Sequence, residues 1–256
     1  MSFVEVGEEG WTSAEFLKFT GKAIHTSLPQ LRFLECALKL EDYVCRVPPV
    51  ILVAPNLCGL HVPFRPLDSE ATKAFASAFA RTPHLREVWL EFKHDDVEAM
   101  QALFESLSSL SITAVDFVFR CTLVLKIGEQ FCAYVQSAAN LAFVQFRFGN
   151  GDSFAEGFFN KLRKAPFASK TLRVLRCTSS LKSDQLEVLL SAVTNPHLIE
   201  MLFLRGESDL VPVLRKHFSA DRFWGLQALD VIPALLKSGE FFDVLRSTRL
   251  SLLNSY

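Results

Sequence analysis

The stretch LREVWLEFK at 85–93 lines up with ITAVDFVFR at 112–120 and LAFVQFRFG at 141–149. Each begins on an apolar residue, repeats one three and five positions later, and places a phenylalanine at the seventh. Apolar residues at alternate positions are the pattern of a strand with one face buried. Phe92, Phe119 and Phe148 fall 27 and 29 residues apart, and Phe64 in HVPFR (61–65) lies 28 residues before Phe92. Recurrence at such a spacing is the signature of a repeat architecture, and it decides the fold before any local feature does.

The same three anchors recur in LCGLHV from Leu57, LRVLRC from Leu172, LIEMLF from Leu198 and LQALDV from Leu226, with LRFLEC from Leu31 as an eighth copy. The starts are 26, 28, 27, 29, 31, 26 and 28 residues apart. Between the anchors the period changes from two to helical. In DSEATKAFASAFAR (68–81), Ala71, Phe75, Ala78 and Phe79 share one face. Helix starts are announced by Asp95-Asp96-Val97-Glu98, by Ser183-Asp184-Gln185-Leu186-Glu187, and by Asp152 or Ser153. Thr82-Pro83-His84-Leu85 and Asn195-Pro196-His197-Leu198 close helices with a proline just before the next strand. The unit is strand, short turn, helix, loop.

The L-x-x-L-x-L phase at this period resembles the leucine-rich repeat, and the long helical half is similar to the ribonuclease-inhibitor-like class. The resemblance implies an α/β solenoid, a horseshoe with a parallel concave sheet and convex helices. It would hold about seven to eight repeats of about 28 residues over 31–247. One feature departs from the family pattern. The asparagine or cysteine usual eight residues after the first leucine is replaced by Arg65, Lys93, Arg120, Gly149, Ser180, Gly206 and Ala234. Because each unit buries its apolar face only against its neighbours, the array forms one domain and needs caps. Residues 1–30 are expected to supply a capping helix, read from TSAEFLKFTGKAIHTS (12–27). Residues 248–256 are expected to be a cap or a truncated last strand. The stretch 38–56, with VPPVILVAP, fits the repeat poorly.

Composition narrows the function classes. With 27 basic and 28 acidic residues the net charge is about −1, so no general attraction to nucleic acid or an anionic membrane is expected. The longest uncharged stretch, Val47 to Phe64, carries four prolines and cannot form a spanning helix. The start MSFVEVGEEGW is acidic where a secretory leader would be basic. Six widely spaced cysteines contain no CxxC pair. These features point to an intracellular, cytoplasmic protein with reduced thiols, holding no metal or cofactor.

The motifs that suggest chemistry have structural readings. His94-Asp95-Asp96-x-Glu98 sits at a helix start, where carboxylates cap and complement the helix dipole. Gly149-Asn150-Gly151-Asp152 lacks the Lys-Ser/Thr of a phosphate loop. His84 and His197 occupy one repeat position as loop residues, and Cys36 and Cys177 sit at inward anchors. No enzyme is expected. Leu28-Pro29-x-Leu31 is similar to the opening of an F-box, which would imply a ubiquitin-ligase substrate receptor; only two or three residues carry that likeness.

Function is expected on the sheet face opposite the anchors. Offsets two, four and six place Glu87, Trp89, Glu91, Asp116, Phe143, Arg147 and Arg176 there, with acidic groups first and arginines after. Large aromatics and arginine on an open surface are the usual anchors of a protein interface. The expected function is a non-catalytic scaffold binding a protein or peptide on the concave face. The alternative is an accessory subunit of a larger assembly, using its ends, its convex helices or an apolar C-terminal strand surface (Leu202, Leu204, Ile232). The four phenylalanines share the inward parity of the anchors and are expected to form a core spine. The basic residues after them, Arg65, Lys93 and Arg120, face the other way at the sheet's edge.

Overall fold

Among the described residues ten strands pair in chain order, every neighbour parallel, in one open sheet. The computed structural model describes residues 3–6, 31–36, 51, 54–62, 66–120, 124–148, 152–206, 210–218, 223, 226–231 and 252–255. The strands are β1 (Phe3–Val6), β2 (Phe33–Cys36), β3 (Gly59–His61), β4 (Glu87–Phe92), β5 (Ala114–Phe119), β6 (Phe143–Phe148), β7 (Val174–Leu181), β8 (Met201–Gly206), β9 (Ala228–Val231) and β10 (Leu252–Ser255). Parallel neighbours require a crossover, and helices supply it between β3 and β9. These are α1 (Ser69–Phe79), α2 (Val97–Ser108), α3 (Leu125–Ser137), α4 (Asp152–Leu162), α5 (Ser183–Ser191) and α6 (Val211–Phe218). The fold is a leucine-rich-repeat-type α/β solenoid. The copy at Leu31 pairs in register with the next one, Phe33 opposite Gly59. The sheet extends beyond the eight copies by β1, paired Phe3 to Phe33, and by β10, paired Leu252 to Ala228. The capping segment 12–27, the Leu28-Pro29 pair, most of 38–56, Pro63 to Arg65, Gly149 to Gly151 and Ile232 lie outside the described residues.

The anchors form the core. From Leu57, Leu60 and Val62 through Leu172, Leu175 and Cys177, all fifteen anchor side chains of five successive copies are at most 4% exposed. Of the phenylalanine spine, Phe92, Phe119 and Phe148 are buried, and the rings of Phe92 and Phe119 stack with centroids 5.4 Å apart. Phe119 also meets Phe117, Phe131 and Phe154, the last at 4.6 Å. The spine is therefore knitted into the helices.

The next copy ends it in a specific way. Ser179 follows the inward anchor Cys177 by two residues, and β7 departs from regular pairing with β8 between Cys177 and Ser180. The Ser179 hydroxyl turns inward, donates to the Phe148 carbonyl at 2.9 Å and accepts from the Phe148 N–H at 2.7 Å. A serine thus ties the turn that an asparagine ties in the family pattern.

The expected register fails in one copy. Val174 pairs with Met201, so the inward residues of that repeat are Ile199 and Leu202, both fully buried, while Leu198 is 38% exposed. The cause is the 3-10 turn at Pro196–Leu198, which takes up one residue more than the Thr82-Pro83-His84 loop. The corrected starts run Leu172, Ile199, Leu226, at 27 residues each. His84 and His197 are consequently one position out of phase with each other, and both are exposed. Leu202 belongs to the core, which removes it from the suggested apolar C-terminal surface.

The helices start near the expected residues, but the cap of α2 is Asp96 rather than Asp95, that of α5 is Lys182 rather than Ser183, and Asp152 and Ser153 already lie within α4. Asp96 caps α2, accepting from the Ala99 N–H at 2.9 Å, and Asp68 caps α1 through the Ala71 N–H at 2.9 Å. Asp96 also accepts from Ser69 and pairs with Lys73 at 3.2 Å, which holds its carboxyl far below the usual range. The His94 ring joins Thr72 at 2.8 Å. This acidic cluster is occupied by its own neighbours. For α5 the cap is Lys182, whose N–H donates to the Gln185 side chain at 2.9 Å.

Two glycines set the closest helix approach. A Cβ on Gly128 in α3 would fall 2.1 Å from the Phe154 carbonyl oxygen, and one on Gly157 in α4 would fall 2.0 Å from that of Leu125. Backbone meets backbone there, so nothing can yield cheaply. Gly157→Ala is expected to lower the unfolding free energy by about 1–3 kcal/mol by overpacking, measured by urea denaturation. Phe119→Ala, which leaves a cavity among four rings, is expected to cost roughly 3–5 kcal/mol in the same measurement; a loss below about 1 kcal/mol would contradict its place in the core.

Candidate functional site on the concave face

Strand pairing brings equivalent offsets side by side. One row runs Glu35, His61, Trp89, Asp116, Gln145, Arg176 across β2 to β7; the row beside it runs Phe33, Gly59, Glu87, Ala114, Phe143, Val174. The side chains in these rows crowd because neighbouring parallel strands lie only about 4.8 Å apart.

Four rings form a ribbon. Phe33 meets His61 edge-on at 4.4 Å, His61 stacks on Trp89 at 3.7 Å and 9°, and Trp89 and Phe143 lie nearly parallel, 14° apart, with centroids separated by 6.5 Å. Gly59 is required for the first contact, since a Cβ there would come within 2.4 Å of the Phe33 ring. Burial drives the His61 imidazole down to about 4, so it is neutral in its stack even with Glu87 at 4.0 Å. Phe33 and His61 were not among the expected contact residues, although their offsets match those of Phe143 and Trp89.

The expected residues have different fates. Glu87, Trp89, Asp116, Phe143 and Arg176 are partly exposed, and Arg147 is exposed. Glu91 is not available: it is 5% exposed and forked onto the Arg120 guanidinium, one contact at 3.2 Å. Arg120 closes over it from the next strand's exit. The expectation that Glu91 contributes to an acidic contact surface is corrected by this pair.

Asp116 is the unusual group. Burial raises its carboxyl to about 6, opposed by the Arg176 charge and by a hydrogen bond with Gln145. Its Oδ1 and the neighbouring Trp89 indole N–H are both buried without a hydrogen-bond partner in the structure. Unpaired buried polar atoms are costly and cluster at functional sites. On the other side of the sheet a cleft of about 590 Å³ separates α2 from α3, with Phe104, Gln130 and Tyr134 in its lining. The Tyr134 hydroxyl there also lacks a partner.

No group of three or more metal-ligating side chains occurs among the described residues. Cys132 and Cys177 are buried and pushed up to about 12, which makes them poor nucleophiles. No described helix is long and apolar enough to cross a membrane.

No protein-family model matches the sequence, and no curated protein matches it. Among solved structures the chain is similar to the leucine-rich repeat-containing protein LegL7 from Legionella pneumophila. That match has a TM-score of 0.52 at 15% identity and covers all of this chain and 83% of the other. At that identity the likeness speaks for the fold, and it agrees with the solenoid seen here.

The titrations of Asp116 and His61 oppose one another. Asp116 is raised above its ordinary 3.8, so its contribution to stability grows as pH falls from about 6 towards 3.8. His61 is lowered from 6.5 to about 4, so its contribution is complete above 6.5 and is lost as pH falls towards 4. Asp116→Asn removes the first effect alone. It is expected to raise stability at pH 7 by about 1–2 kcal/mol. It should also steepen the loss between pH 6.5 and 4 relative to the parent protein, read by urea unfolding at stepped pH. Unchanged stability at pH 7 would show that the carboxylate is already satisfied.

Proposed function

We propose that the protein is a non-catalytic interaction module that holds a protein or peptide partner on its concave face. Trp89 and Phe143 serve as anchors, with Glu87, Asp116, Arg147 and Arg176 orienting the partner. The observation that carries this reading is the pair of partly exposed rings, Trp89 and Phe143, beside two buried, unpartnered polar atoms. Among the described residues the rings of the phenylalanine spine are buried, and the cluster of Asp96 with Ser69 and Lys73 is internally paired. The solenoid supports the reading because stacked repeats present a continuous sheet surface. Helices of 8 to 13 residues on the other side support the ribonuclease-inhibitor-like class.

The accessory-subunit reading is favoured by the α2–α3 cleft, where the buried Tyr134 hydroxyl lacks a partner. The two are separated by one experiment. The partner is identified by mass spectrometry of the stoichiometric complex isolated with the native protein. Recovery is then measured with the triple variant Trp89→Ala, Phe143→Ala, Arg176→Ala, its fold checked by circular dichroism and cooperative unfolding. Loss of the partner with the fold retained is the expected result. Undiminished recovery sinks the concave-face reading and directs attention to the α2–α3 side.

A further inference from the structure

The Trp89 and Phe143 rings lie nearly parallel across an intervening strand that carries the Asp116 carboxylate, a combination of aromatic faces and negative charge that suits a flat cation. His61 covers one face of the indole at 3.7 Å, whereas Phe143, nearly parallel on the other side, has its centroid at 6.5 Å. The two rings do not come from adjacent strands. Between them runs β5, which sets Ala114 beside Phe143 and Asp116 beside Trp89. Ala114 rises no higher than a methyl group, so the sheet between the rings is floored by that methyl and by the Asp116 carboxylate.

We propose that this slot receives the guanidinium of an arginine side chain on the partner, with Asp116 as its counter-ion; the proposal rests on the concave-face reading above. Guanidinium is planar, stacks on aromatic faces and presents forked donors to a carboxylate, whereas ammonium is a compact, strongly hydrated point charge. Both aromatic faces attract a cation through their quadrupoles. The Asp116 Oδ1, buried without a hydrogen-bond partner, needs a donor, and the Trp89 N–H needs an acceptor such as the arginine's own peptide carbonyl.

The surrounding charge agrees. On β2 to β5 the concave rows carry Glu35, Glu87, Glu91 and Asp116 and neither lysine nor arginine among the described residues, and Arg120 already neutralises Glu91. The resident cation Arg176 stands on β7, two strands from Asp116. Its charge opposes the effect of burial on the carboxyl without cancelling it.

The test uses the full chain, labelled with nitrogen-15, and four capped tripeptides: Gly-Arg-Gly and its lysine, citrulline and glutamate counterparts. The readout is the Trp89 indole resonance, assigned by its loss in Trp89→Phe. The arginine peptide is expected to shift it saturably, the lysine peptide more weakly, and the flat but neutral citrulline peptide not at all. Asp116→Asn, which relieves a buried charge and so keeps the fold, is expected to weaken the arginine peptide roughly tenfold or more. No response to arginine, an equal response to citrulline, or a stronger response to glutamate overturns the proposal. Should that happen while the triple variant still loses the native partner, the arginine slot is wrong and the concave-face reading stands. If the triple variant also retains the partner, both fail.

Discussion

Phe119 touches Phe92, Phe117, Phe131 and Phe154, and so belongs at once to three consecutive repeats. No single strand and helix in this chain can bury its own apolar face; each is one half of a core whose other half is the next repeat. Everything else follows from that dependence. Stacking through large rings keeps successive strands parallel and in phase, and this phase sets equivalent side chains in rows across the opposite face of the sheet. Gly128 and Gly157 belong to the same constraint, since the rings on α3 and α4 meet only when the two helix backbones almost touch.

Where the ring spine stops, the fold substitutes a different interaction with the same purpose. The Ser179 hydroxyl satisfies both backbone groups of Phe148, and strand alternation turns it inward two residues after Cys177. The turns of this solenoid are therefore closed by aromatic packing in one part and by a hydroxyl in the next. Either solution meets the requirement that buried backbone groups or buried surface be matched, and neither needs the family's asparagine.

The polar groups divide into two kinds. Asp96, Asp68, Ser179 and the Glu91–Arg120 pair are completed within the chain and serve the fold. Asp116 and Trp89 are placed by the same rows but left incomplete, with the carboxyl raised to about 6 by burial. A buried carboxylate held this way weakens the folded state, and such tension between stability and use is common where a surface awaits a ligand. His61 adds a counterweight, since its neutral stack is lost on acidification over much the same pH range in which Asp116 is relieved.

The sequence by itself determined the period, the strand–helix order, the parallel pairing in chain order and the inward anchors, because burial against identical neighbours repeats the same pattern in every unit. Trp89, Phe143, Asp116 and Arg176 were legible as concave residues for that reason. Only the tertiary structure decided the phase after Asn195-Pro196, where a 3-10 turn absorbs one residue and sends Leu202 to the core. Nor could spacing reveal that Glu91 is covered by Arg120, that Phe33 and His61 extend the aromatic ribbon, or that Ala114 separates two parallel rings. Those outcomes depend on how far side chains reach across strands, and a repeat pattern records the face a residue occupies without recording which neighbour it meets there.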